Sequence, residues 1–160
     1  MRTALLAATL LLTLAAAKLP QLGDAATPPI AAPYDTNEDA HAAVDAAFAR
    51  AHANGHKVML DFGGNWCPDC RALAGVLANP AVQAWTGDNY ETVLIDVGRF
   101  KKNLDIAQRY GVKITAAPTV LVLTPSGKLL NPDHVFALAD ARYMSSQAVV
   151  DLLARWQTLN

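Results

Sequence analysis

Val58-Met59-Leu60-Asp61-Phe62-Gly63-Gly64-Asn65-Trp66-Cys67-Pro68-Asp69-Cys70 changes character halfway along. Its first five residues are a short apolar run closed by glycines, the pattern of a strand buried within a sheet, and Asp61 is the one anomaly in it. After the second cysteine, Leu73, Val76 and Leu77 give the segment from Arg71 to Leu77 the single apolar side of a helix, which Asn79-Pro80 ends. A strand feeding a helix through this turn sets Cys67 at the helix N-terminus. Cys70 then lies one turn deeper on the same face, within disulfide reach without backbone movement.

That placement has chemical consequences. The unpaired N–H groups and positive end of a helix favour a thiolate, the nucleophile of disulfide exchange. Cys67 is therefore expected to attack and Cys70 to resolve the mixed disulfide. Pro68 suits the first helical position, where its missing N–H has no partner anyway. Asp69 should oppose the Cys67 thiolate and Arg71 should pull the other way, so Pro68 and Asp69 are tuning positions. Asp61, in an apolar strand, should have a raised pKa and is placed to accept the proton of Cys70. A purely structural disulfide is the competing reading, but so short a loop yields little loop-closure entropy.

Outward from this stretch, the chain has 160 residues, 52% of them hydrophobic, enough for one domain with a core. A net charge of −1 with interspersed signs implies no basic face for nucleic acid. Arg2 precedes an uncharged run from Ala4 to Ala17, rich in Leu and Ala and short for a bilayer span, so residues 1–17 read as a secretory signal peptide or an uncleaved anchor. Residues 18–35, with Pro20, Pro28, Pro29 and Pro33 and no apolar period, read as a flexible linker, and 36–160 as the domain. Thr36 with Asp39 predicts a helix cap, Ala40 to Ala51 follow at helical spacing, and Gly55 closes the helix. A buried strand is predicted over Thr92 to Val97, a short helix over Leu104 to Tyr110 and a strand over Thr119 to Leu123. The turn at Thr124 to Gly127 should reverse the chain into a strand from Lys128, continued near Val135 to Ala137. A last helix, capped by Ser145 or Ser146, should reach Trp156.

Asp61-Phe62, Trp66-Cys67-Pro68-Asp69-Cys70 and the later Ala117-Pro118-Thr119 together resemble the thioredoxin superfamily, and Ala78-Asn79-Pro80-Ala81-Val82 resembles its periplasmic reductase branch, which includes the C-terminal domain of transmembrane disulfide reductases. The resemblance implies an α/β thioredoxin-like fold, a central mixed β-sheet with helices on both faces. It implies that Pro118 follows a cis peptide bond and faces the dithiol, that Ala117 offers its backbone to an extended substrate, and that Asp61 is the family's buried acid. Trp66 is expected to shield the dithiol and to help dock substrate. The family's lysine near that acid has no clear match, since Thr92 falls about there. The expected protein is a periplasmic, monomeric protein-disulfide oxidoreductase without cofactor or metal. Its expected partners are protein substrates and a membrane or soluble electron-transfer partner. Reduction is the expected direction, with oxidase or isomerase activity on the same fold and a copper chaperone as alternatives. His134 is the one histidine considered as a third ligand; His41, His52 and His56 read as surface groups.

Overall fold

The computed structural model describes residues 18–23 and 26–160, so the expected signal peptide lies outside the described residues. Helix α1 (Ala40–Asn54) leads into strand β1 (Lys57–Gly63), helices α2 (Pro68–Leu77) and α3 (Pro80–Gly87), and strand β2 (Tyr90–Asp96). Helix α4 (Leu104–Gln108), strand β3 (Thr119–Leu123) and helix α5 (Ser146–Gln157) complete the regular elements. The sheet order is β2-β1-β3, with β1 parallel to β2 and antiparallel to β3. It is the mixed sheet expected from the sequence, and it has helices on both faces.

Alternation along β1 divides the core. Val58, Leu60 and Phe62 turn to one face, with Leu121 and Leu123 of β3 and Val44, Ala47 and Ala51 of α1. Met59 turns to the other, where Leu73 and Val76 of α2 and Val149, Val150 and Leu153 of α5 bury it. By the same period Asp61 points to the α2 face, paired in register with Leu94 and Val120. Because β3 runs antiparallel to β1, its first residue, Thr119, pairs with Phe62 and brings Ala117-Pro118 beside the end of β1 that feeds the cysteine turn.

Several local expectations change. The N-cap of α1 is Asp39, which accepts the Ala42 N–H at 3.1 Å, and Thr36 takes no part in it. Asn79-Pro80 ends α2 but also starts α3: Asn79 Oδ1 accepts the Ala81 N–H at 3.0 Å and Pro80 fills the first turn. The strand expected from Lys128 is reduced to a bridge between Leu123 and Leu129. The buried Asn131 side chain then takes over the ladder, accepting from Val122 N–H at 2.9 Å and donating to Val120 O at 3.0 Å, and Pro132 opens a 3-10 turn (Pro132–His134). The segment expected near Val135 to Ala137 is likewise irregular, contributing a single bond from Val120 N–H to Val135 O.

The stretch read as a linker has no regular structure, yet it is fastened to the domain. Thr27 N–H donates to Ser146 Oγ at 2.9 Å, and Ile30 N–H to Arg71 O at 3.0 Å. Tyr34 and Asn65 exchange two bonds, Tyr34 N–H to Asn65 Oδ1 at 2.9 Å and Asn65 Nδ2 to Tyr34 O at 3.0 Å. Pro28 and Pro29 pass so near α2 that a Cβ on Gly75 would run into the Pro28 carbonyl. Residues 26–35 are therefore a strap across α2. A proline-rich segment hides this in sequence because backbone groups, not a periodic apolar face, make the attachment.

Candidate active site

Cys67 is the N-cap of α2, in an extended conformation, and Pro68 occupies the first turn. Its Sγ is joined to that of Cys70 in a disulfide with the Cα atoms 5.3 Å apart, and it also accepts the Cys70 N–H at 3.1 Å. In the reduced protein that bond and the helix terminus would act on the Cys67 sulfur, lowering the cost of a thiolate there. Cys70 is the more enclosed of the two, fully buried where Cys67 is 3% exposed.

Asp61 is fully buried and accepts the Tyr34 hydroxyl at 2.9 Å through Oδ2, while Oδ1 has no hydrogen-bond partner. Burial pushes its carboxyl up from 3.8 to about 7, and the bond from Tyr34 acts in the opposite sense. The Tyr34 phenol is held far above its ordinary range by burial and then by the neighbouring Asp61 charge, so it stays a donor. Gly63 shows how tightly these groups meet: a Cβ there would collide with the Tyr34 hydroxyl and lie 2.7 Å from Cys70 Sγ. Tyr34, Cys67 and Cys70 form one buried cluster, with Trp66, Leu94 and Ala117 packed on it.

The Ala117–Pro118 peptide bond is cis, Pro118 is buried, and the Ala117 carbonyl oxygen lies 3.4 Å from Cys67 Sγ. Trp66 is half-buried. Its ring meets Phe100 edge-on with centroids 5.4 Å apart, and the Arg99 guanidinium lies 5.4 Å from its centre. Its Nε1–H has no partner. Arg99 and Phe100 both have positive φ, 55° and 63°, so the loop after β2 is bent sharply beneath the tryptophan.

Asp69 corrects one expectation. Its counter-charge is Arg142, whose Nη1 lies 3.2 Å from Oδ2 and whose backbone N–H donates to Oδ1 at 3.0 Å. Arg71 instead braces the strap, donating from Nε to Ile30 O at 3.3 Å. His134 stands exposed on its 3-10 turn. Among the described residues no three His, Cys, Asp or Glu side chains are grouped to hold a metal, so His134 does not join the cysteines. His41 lies 3.3 Å from Asp105 in an exposed pair, whereas His56, expected at the surface, is half-buried 3.6 Å from Glu91. Sequence reasoning missed Tyr34 and Arg142. The one available signal was Tyr34 itself, a large aromatic among alanines and prolines.

A dithiol of this kind on this sheet defines a class, the thioredoxin-like disulfide oxidoreductases, and comparison with known proteins agrees. The chain belongs to the thioredoxin-like family, whose profile matches residues 39–125. It is similar to a solved disulphide isomerase from Xylella fastidiosa Temecula1, with 40% identity and a TM-score of 0.72 over 77% of this chain and 95% of that one. It is also similar to the thiol:disulfide interchange protein DsbD of Salmonella typhimurium, 31% identical over 75% of this chain and 21% of that protein. Thioredoxin-2 of Pyricularia oryzae is 34% identical over 57% of this chain and 52% of its own length. The chain thus spans about half of that thioredoxin and about a fifth of DsbD.

Proposed function

We propose that the protein is an exported reductant of protein disulfides. The observation that carries the exchange chemistry is Cys67 Sγ at the N-cap of α2, receiving the Cys70 N–H, with Cys70 enclosed in one cluster with Tyr34, whose hydroxyl bonds Asp61. The Cys67 thiolate attacks a substrate disulfide. One substrate sulfur leaves as a thiolate and takes up a proton, and the other remains bonded to Cys67. Cys70 then gives its proton to Asp61 and attacks Cys67 Sγ; the second substrate sulfur leaves, and the Cys67–Cys70 disulfide forms. Two electrons pass to the substrate, so each turnover requires a dithiol donor, membrane-bound or soluble, to reduce the pair again.

In this mechanism Ala117 and Pro118 line the approach of an extended substrate segment to Cys67, and Trp66 forms the adjoining wall. Asp69 works against the Cys67 thiolate, which supports reduction as the direction, and its pairing with Arg142 reduces the size of that effect. Export rests on the character of residues 1–17. Among the described residues no helix is long and apolar enough to cross a membrane.

The likeness to the Xylella disulphide isomerase favours isomerisation as the second reading. Equilibration of the Cys67–Cys70 pair with glutathione separates the two. A potential near about −270 mV is expected for a reductant, whereas about −180 mV indicates an isomerase and about −120 mV an oxidant.

A further inference from the structure

The strap carries a group that the mechanism above leaves unused. Tyr34 precedes the residues matched by the family profile, yet its side chain is buried in the dithiol cluster and donates to the buried acid at 2.9 Å. We propose that Tyr34 is a positioning residue for the resolving step: its hydroxyl holds Oδ2 of Asp61, fixing the carboxylate and leaving Oδ1 as the open acceptor for the proton of Cys70.

Three observations support this. Oδ1 is buried without a partner, while Oδ2 is bonded, so the two oxygens are differentiated by Tyr34 alone. Tyr34 and Cys70 converge on the same side of Gly63, where one added Cβ would strike both. The strap is also fastened on each side of the site, by the paired bonds between Tyr34 and Asn65 and by Ile30 on Arg71. The position is thus built, not incidental.

The direction of the effect follows from the bond. A phenol donating to a carboxylate stabilises the ionised form, so Asp61 remains a usable base at lower pH than burial alone would permit. The titratable group that meets it is Tyr34 from the strap, and Tyr34 in turn packs with Cys67, the N-cap of α2, and Cys70 of α2 and feels the charge of Asp96 at the end of β2. Asp96 is itself paired with Lys102 at 2.7 Å. Strand β3 presents only apolar residues there, Val120 and Val122.

This inference rests on the role given to Asp61 above, and the test separates the two. Reduced wild type, Tyr34→Phe, Asp61→Asn and the double variant are mixed with oxidised glutathione across a pH series. Rapid acid quench and mass spectrometry then follow the decay of the Cys67–glutathione mixed disulfide. Tyr34→Phe should raise the pH midpoint of decay by about one unit, making decay about tenfold slower below both midpoints. Added to Asp61→Asn, it should change nothing further. A wild-type midpoint in Tyr34→Phe, or an equal shift with and without Asp61, overturns the role of Tyr34 and leaves that of Asp61 standing. A wild-type profile in Asp61→Asn overturns both.

Discussion

Between pH 4 and pH 8, Asp61→Asn in the oxidised protein is expected to gain about 4 kcal/mol of stability relative to wild type. The figure follows from a carboxyl raised from 3.8 to about 7, at about 1.4 kcal/mol per pH unit. Well below pH 4 the acid is protonated in folded and unfolded chains alike, and no linkage contribution arises. As pH rises the unfolded chain releases its proton first, because the folded state holds it, and wild type loses stability until the folded group also ionises near pH 7. Asparagine has no such loss. Other titrating groups are common to both proteins and cancel in the difference. Denaturant unfolding of the two proteins at both pH values measures it, and a constant difference would show that Asp61 is ionised in the fold without penalty.

Gly63→Ala is expected to damage both the fold and the exchange reaction. Its Cβ would collide with the Tyr34 hydroxyl and stand 2.7 Å from Cys70 Sγ, and neither neighbour has room to retreat inside a buried cluster. Overpacking of this kind costs about 1–3 kcal/mol. Displacing Cys70 by about 1 Å should slow ring closure on the order of 100-fold. Gly87→Ala is the control, since nothing lies within 4 Å of a Cβ there. Unfolding and glutathione exchange on the two variants distinguish the outcomes. If Gly63→Ala behaves as Gly87→Ala does, the close meeting of Tyr34, Gly63 and Cys70 is not a feature of the folded protein.

The parts of this site that a sequence reveals are those fixed by local periodicity. Val58 to Cys70 states a strand, a turn and a helix N-terminus in order, and so places Cys67, Cys70 and Asp61 relative to one another by spacing alone. Ala117-Pro118 is reachable only by resemblance to a family, since its approach to the dithiol depends on β3 running antiparallel to β1. Contacts across long separations leave no local trace. Arg142 reaches Asp69 over 73 positions, and nothing near Asp69 distinguishes it from Arg71, the nearer cation. Tyr34 is obscured by its surroundings, because prolines without an apolar period are the pattern of a tether as much as of a strap. Asn131 and Asn79 act through side-chain bonds to backbone, which turn an expected strand into an irregular segment and an expected stop into a new helix.

The central claim is that Cys67 forms, and Cys70 releases, a covalent bond to a substrate sulfur. Its most direct test is to incubate reduced Cys70→Ser with a disulfide-containing unfolded protein, quench in acid and map adducts by peptide mass spectrometry. A stable mixed disulfide at Cys67, absent from wild type because Cys70 resolves it, is the predicted result. If Cys70→Ser forms no adduct while wild type is equally unreactive, the pair is an inert structural disulfide and the account fails.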